Sequence, residues 1–161
     1  MRFLKRAFTL AEVSIALSLL MALTAFLTIT GASAVNKYGD PHSEYRIALE
    51  VQTAAGWIEN MLKRALIFRQ DVKLIVPSNV PSSNLRFLWT LSNHSVKFSS
   101  ENIEFRSVSA ISTHAYSNSF QTLTPALTLC VFKKGVDGIR KITDWRISVS
   151  AYGLVRAYQA A

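Results

Sequence analysis

A single carboxylate inside a long apolar segment is the most unusual chemical group in this sequence. Glu12 is the only charged residue between Phe8 and Val35. A carboxylate at the centre of a membrane helix costs roughly 2.5–3.5 kcal/mol, and such a residue is by default a functional position with a partner. Glu12 is therefore a candidate functional residue whose partner has to be identified. The alternative is that it lies near enough to the end of the segment for its carboxylate to reach the headgroups.

The other reactive side chains form no catalytic or metal-binding motif. The sequence has no G-x-S-x-G, no Gly-rich phosphate loop and no cluster of paired carboxylates. Its three histidines, His42, His94 and His114, are scattered, so no metal-ligand spacing arises. Cys130 is the single cysteine, and its apolar surroundings, Leu127–Phe132, predict a buried small hydrophobic residue. We expect no enzymatic activity, no cofactor and no metal.

The apolar segment has the length of a membrane-spanning helix. Val13–Val35 contains 23 consecutive uncharged residues, which as a helix span about 34 Å, against about 30 Å for the hydrocarbon core. Arg2, Lys5 and Arg6 precede it without any acidic residue. The positive-inside rule therefore predicts that residues 1–7 stay in the cytoplasm and that the rest of the chain crosses the membrane.

Three interpretations of this N-terminus compete. A secretory signal peptide would be cleaved after Ala34, within the small-residue site Ala32-Ser33-Ala34. However, the apolar segment is much longer than the usual 7–15 residues, and Glu12 would lie inside it. A plain signal anchor explains the length of the segment but leaves Glu12 without a role.

The third interpretation rests on the run Lys5-Arg6-Ala7-Phe8-Thr9-Leu10-Ala11-Glu12-Val13. This run resembles the prepilin-peptidase recognition segment of type IV pilins and type II secretion pseudopilins. In that family a basic leader ends in a small residue, usually Gly and here Ala7, followed by Phe and by Glu at the fifth mature position. The resemblance implies that prepilin peptidase cleaves between Ala7 and Phe8 and that Phe8 is N-methylated. It also implies that Glu12 pairs with the α-amine of Phe8 in a neighbouring subunit.

The same resemblance implies a location and partners. The chain would be a single-pass protein of the bacterial inner membrane, with its N-terminus in the cytoplasm and its head outside. Its partners would be prepilin peptidase, other pilin or pseudopilin subunits and an inner-membrane assembly platform. After assembly it would belong to a periplasmic or cell-surface filament.

A second helix is predicted after a break at residues 36–42, where Gly39 and Pro41 disfavour helix. Ser43 has the character of an N-cap, and the helix is expected over residues 43–69. Its apolar face recurs at spacings of three and four: Ile47, Val51, Ala54, Ile58, Met61, Leu62 and Ala65. Trp57 lies on the opposite face. We expect it to fold back over the edge of the domain, the alternative being a contact with a neighbouring subunit.

Short β-branched and aromatic runs follow the helix, and they predict eight strands. These are Val72–Val76, Leu85–Leu91, Val96–Ser99, Ile103–Val108, Phe120–Leu123, Leu127–Phe132, Trp145–Ala151 and Leu154–Tyr158. A loop is expected at residues 77–84 and a hairpin turn from Gly135 to Gly138. The predicted fold is α+β: a long hydrophobic N-terminal helix over residues 8–35, an amphipathic helix, and an antiparallel sheet, with one head domain over residues 43–161.

This order of elements resembles the pilin-like fold, and more narrowly the H-type pseudopilins and FimT-like minor pilins. In that subgroup a helix with a basic and apolar end runs straight into a strand, as Met61–Leu66 does into Val72–Leu74. The ending Gly153–Arg156 approximates the Gly-Arg-Val ending of the subgroup. The resemblance implies a minor pilin or pseudopilin.

Positive charge is concentrated near the C-terminus. The chain carries a net charge of +8, and the region from Cys130 onward has Asp137 and Asp144 against six basic residues: Lys133, Lys134, Arg140, Lys141, Arg146 and Arg156. Clustered cations are typical of phosphate-binding surfaces. FimT-like minor pilins are associated with DNA capture, so a DNA-binding subunit of an uptake pilus is an alternative function. The simpler interpretation is a solvated basic face, or one attracted to anionic envelope polymers.

Overall fold

The computed structural model describes residues 14–25, 27, 43–135 and 139–160, and the chain divides into two compact units, Met1–Asp40 and Pro41–Ala161. In the first unit, residues 14–25 and 27 are helical and are called α1 here. Across the described part of the chain, no helix combines the length and the apolarity needed to cross a bilayer. The remainder of the predicted helix over residues 8–35, the predicted leader and the break at residues 36–42 lie outside the described residues.

The second unit begins with the predicted amphipathic helix, α2, which spans Glu44–Ile67. Ser43 caps it, because the Ser43 side chain accepts a hydrogen bond from the Arg46 N–H at 3.3 Å. All seven residues of the predicted apolar face are buried, together with Ala55. The helix ends two residues before the predicted bound, where Arg69 takes a positive φ of 51°.

Nine strands follow in the described part of this unit. In chain order they are β1 (Val72–Ile75), β2 (Asn84–Trp89), β3 (Ser95–Ser99), β4 (Ile103–Ser107), β5 (Thr113–Ser117), β6 (Thr122–Thr124), β7 (Leu127–Lys134), β8 (Arg140–Val149) and β9 (Val155–Gln159). They form two antiparallel sheets. Sheet A has the strand order β3-β2-β1-β5-β6, and sheet B has the order β4-β7-β8-β9.

The strands differ from the prediction in three places. Strand β5 was not predicted, because its inward positions are filled by His114 and Tyr116 instead of by aliphatic residues. Strand β6 is Thr122–Thr124, later than predicted. Strand β8 begins at Arg140, five residues before the predicted start, because its polar first half pairs with the end of β7.

The β7–β8 hairpin closes where a turn was predicted. Lys134 pairs with Arg140, and the Gly135 N–H donates to the Ile139 carbonyl at 2.9 Å. Residues 136–138, which complete the predicted turn, lie outside the described residues.

The core lies between α2 and the two sheets, and α2 packs against β4, β8 and β9. Its largest fully buried side chains include Ile58, Phe87 and Phe105. The Trp57 ring contacts Phe87 edge-on, with centroids 5.3 Å apart, and Phe98 at 5.4 Å. Trp57 therefore packs on its own domain, as expected.

Candidate functional site

The described part of α1 presents apolar side chains to its surroundings. Seven large apolar side chains of this segment are between 54% and 67% exposed: Ile15, Leu17, Leu19, Leu20, Met21, Leu23 and Leu27. No charged residue occurs among residues 14–25 and 27. A helix that is apolar on all sides needs an apolar environment, either lipid or other helices.

Two hydroxyl groups of α1, those of Ser18 and Thr24, are hydrogen-bonded within the helix itself. Ser18 Oγ donates to the carbonyl oxygens of Ser14 at 2.7 Å and Ile15 at 3.1 Å, and Thr24 Oγ1 donates to that of Met21 at 2.9 Å. In these two residues the hydroxyl hydrogen is already bonded to the preceding turn, so it does not require a water molecule as acceptor. They suit a helix whose surroundings offer no hydrogen-bonding partner.

Ala7, Phe8 and Glu12, to which the family resemblance gives roles in processing and assembly, lie outside the described residues. Their roles therefore stay predictions. The structure places the first described helical residues immediately after them, from residue 14 onward.

The six basic residues of the C-terminal region lie on both faces of sheet B. Lys133 pairs with Ile103 on one side and with Lys141 on the other. Paired residues lie on the same face of a sheet, and Ile103 is fully buried, so the two lysines are on the inward face. They line a cavity of about 290 Å³ beside the first turn of α2, with Glu44, Asp144 and Trp145 among its other lining residues.

The other four basic residues share the outward face of sheet B. Lys134 pairs with Arg140, Cys130 pairs with Arg146, and Ser148 pairs with Arg156. Both strands advance by an even number of residues across the bulge between Cys130 and Phe132, so these positions stay on one face of the sheet. Arg106 lies there too, because it pairs with Cys130, and its guanidinium lies 5.0 Å from the centre of the Phe132 ring. Sequence reasoning missed Arg106, which is distant along the chain.

Three of these outward cations are bound by the protein itself. Arg140 Nε forms an ion pair with Glu104 Oε2 at 2.5 Å. Lys134 Nζ donates to the carbonyls of Ser100 at 3.3 Å and Glu101 at 2.9 Å. Arg146 donates to the carbonyls of Thr143 and Trp145 at 2.7 and 2.8 Å. Of the three, Arg140 is the one paired with a carboxylate among the described residues.

Glu50 of α2 is a structural residue that the sequence gives no reason to single out. Its carboxylate accepts hydrogen bonds from the Ser100 hydroxyl, from the Asn102 side-chain amide and, at 3.2 Å, from the Asn102 N–H. The bonds join the second turn of α2 to the turn between β3 and β4. A polar residue at a helical position carries no sequence signal for a partner 50 residues away.

Several polar and sulfur-containing side chains of the head are buried, among them His114 and Cys130. Within the described residues, no group of three His, Cys, Asp or Glu side chains could hold a metal ion. His114 is fully buried; its Nδ1 lies 2.7 Å from the Pro125 carbonyl, and its Nε2 has no hydrogen-bond partner among the described residues. Cys130 is buried and unpaired, as the sequence predicted.

Comparison with protein-family models and with curated proteins finds no match. Among solved structures, the chain is similar to the type IV minor pilin FimU of Pseudomonas aeruginosa, with a TM-score of 0.46 and 17% identity over 71% of this chain and 92% of that chain. It is also similar to the minor pseudopilin EpsH of the Vibrio cholerae type 2 secretion system, with a TM-score of 0.46 and 16% identity over 70% and 95% of the two chains. Both scores are below 0.5, so neither assigns the chain to a family.

Proposed function

We propose that this chain is a minor pilin or pseudopilin subunit. It is inserted in the inner membrane, cleaved by prepilin peptidase between Ala7 and Phe8, and methylated on the new α-amine. It then joins a type IV pilus-like or type II secretion filament through its N-terminal helix. The head contributes contacts to the filament and catalyses no reaction.

The observation that carries this proposal is the position of Glu12 relative to Phe8 and to the apolar helix. Phe8 and Glu12 are first and fifth in the segment that follows the basic leader. Residues 14–25 and 27, which follow them, are helical and uncharged, and their large apolar side chains are exposed. An assembling helix needs such a surface, because it must pack first against lipid and then against other helices.

The proposed chemistry explains why a carboxylate is kept in this segment. Cleavage after Ala7 frees an ammonium group at Phe8, which would be as costly in an apolar bundle as the Glu12 carboxylate. When Glu12 of one subunit meets the Phe8 amine of the next, each charge compensates the other. Because the pair forms at only one axial offset, it also fixes the register between subunits.

Replacement of Glu12 by alanine tests this role in cells. We expect Glu12→Ala to be inserted and cleaved but to be absent from filaments sheared from the cells or from crosslinked assemblies. Glu59→Ala is the matched control, because Glu59 is a half-exposed glutamate of α2 that pairs only with Lys63 in the described structure. Incorporation of Glu12→Ala at the level of the control would contradict the proposed pairing.

DNA binding by the six C-terminal basic residues is not part of this proposal. Two of them, Lys133 and Lys141, lie on the face of sheet B opposite to the other four, and three of those four are bound by the protein's own acceptors. Because four of the six share one face with Arg106, DNA binding at that face stays a prediction.

A further inference from the structure

The outward face of sheet A carries cations without any carboxylate. Its strands contain no Asp or Glu, and the pairing register places Lys73, Arg86 and Lys97 on the face opposite to the core. All three side chains are exposed. The nearest carboxylate along these strands is Asp71, just before β1, and it accepts the Asn118 N–H at 2.7 Å.

Two of these cations are placed directly opposite each other. Arg86 of β2 and Lys97 of β3 are cross-strand partners, which puts their Cα atoms roughly 4.5–5.5 Å apart. Like charges in this position destabilise a sheet. Neither side chain has a hydrogen bond or an ion pair with any residue that the structure describes. In this they differ from the outward cations of sheet B, most of which are bound internally.

A cleft of about 370 Å³ opens beside this pair of cations. Arg86, Lys97, Asn84 and Ser82 supply its polar lining, and Ile75, Val76 and Pro77 form its apolar wall. Ser82 Oγ accepts from the Asn84 N–H at 3.3 Å and from Asn84 Nδ2 at 3.5 Å. These two bonds use the lone pairs of Ser82 Oγ and leave its hydroxyl hydrogen able to donate into the cleft.

We propose that this cleft binds a phosphate group. A guanidinium, an ammonium, a hydroxyl and an amide are the side-chain donors that proteins use on phosphate oxygens, and charged donors make the strongest of these bonds. A bound dianion or monoanion would also remove the repulsion between Arg86 and Lys97. The site is independent of the proposed assembly role, because no residue of it belongs to the N-terminal helix.

The test is an NMR titration of the ¹⁵N-labelled full chain in zwitterionic micelles with inorganic phosphate, against sodium chloride of equal ionic strength. We expect saturable shifts of the amide signals of Ser82, Asn84, Arg86 and Lys97 with phosphate alone. Arg86→Gln and Lys97→Gln should each weaken binding about tenfold or more, since each removes one charge-assisted bond. Lys141→Gln, an exposed lysine of sheet B, should bind as the unchanged chain does.

Unfolding midpoints measured in sodium chloride show whether a variant that no longer binds phosphate is still folded. Lys97→Gln should unfold at the same or a higher midpoint than the unchanged chain, because it relieves the cross-strand repulsion. A second titration, with a six-residue thymidine oligonucleotide, identifies the source of the phosphate. Tighter binding through the same four residues indicates a phosphodiester polymer, whereas binding of inorganic phosphate alone indicates a small phosphorylated ligand.

Three results would overturn the proposal. The first is an equal response to phosphate and chloride. The second is phosphate binding that Arg86→Gln and Lys97→Gln leave unchanged. The third is a set of shifts confined to β7, β8 and β9, which would place the anion on sheet B.

Discussion

Replacement of Glu50 by alanine tests how α2 is held against the turn between β3 and β4. The change removes three hydrogen bonds to one carboxylate, from the Ser100 hydroxyl, the Asn102 N–H and the Asn102 side chain. Hydrogen bonds to charged groups contribute roughly 1.5–3 kcal/mol each, but Glu50 is half-buried and water can replace part of what is lost. Ser100, however, is buried, and its hydroxyl would lose its acceptor. We therefore expect Glu50→Ala to lower the free energy of unfolding by about 2–3 kcal/mol.

In a unit of about 120 residues this loss lowers the unfolding temperature by about 8–12 °C. Tryptophan fluorescence is a suitable assay in the full chain, because the second unit contains all three tryptophans: Trp57, Trp89 and Trp145. Glu50→Gln keeps one acceptor oxygen, so its free energy of unfolding should fall by about half as much as that of Glu50→Ala.

Glu59→Ala is the control for loss of a glutamate from α2. Its ion pair with Lys63 joins side chains that are 47% and 64% exposed, so the loss should be at most about 0.5 kcal/mol. If Glu50→Ala destabilised the protein no more than Glu59→Ala, the connection between α2 and the β3–β4 turn would have no energetic role.

Three further predictions concern the packing of the head. Trp57→Ala should lower the free energy of unfolding by about 2–3 kcal/mol, because the ring contacts Phe87 and Phe98. Urea unfolding measures this change, and a decrease below about 1 kcal/mol would contradict the packing. Gly153→Ala should lower the free energy of unfolding by about 1–2 kcal/mol because of its φ of +75°. The atoms nearest to the added Cβ lie at ordinary contact distances, so no clash contributes. An unchanged unfolding midpoint would refute the backbone strain. Burial raises the pKa of the Tyr116 phenol, so the folded state retains its proton at higher pH than the unfolded state does. Stability should therefore fall as the pH rises above about 10, and Tyr116→Phe should show a smaller fall in unfolding midpoints measured from pH 9 to 11.

The sequence predicted the elements whose signal is local. The three-and-four spacing of apolar residues identified α2, and Ser43 identified its start. Aliphatic runs located most strands within a few residues. The β7–β8 turn followed from its two glycines. These features depend on residues close together in the chain, and periodicity reports them directly.

The features that the sequence did not reveal depend on pairing between distant residues. Strand β5 has a histidine and a tyrosine at its inward positions, so it lacks the aliphatic alternation that marks a strand. Glu50 has the same polarity as any solvent-facing residue of α2. The basic C-terminal residues form one group along the chain but lie on two faces, because Lys133 and Lys134 point to opposite sides of the same strand. The opposition of Arg86 and Lys97 likewise requires the β2–β3 register.

In the proposed function the chain is matured and assembled as a pilin-like subunit. Mass spectrometry of the intact protein and of its N-terminal peptide, recovered from native membranes, is the decisive measurement. We predict a mature chain that begins at Phe8 and carries one added methyl group on its α-amine. A chain that begins at Val35, or one that keeps Met1 and the residues up to Ala7, would contradict the proposal and leave Glu12 without the partner proposed for it.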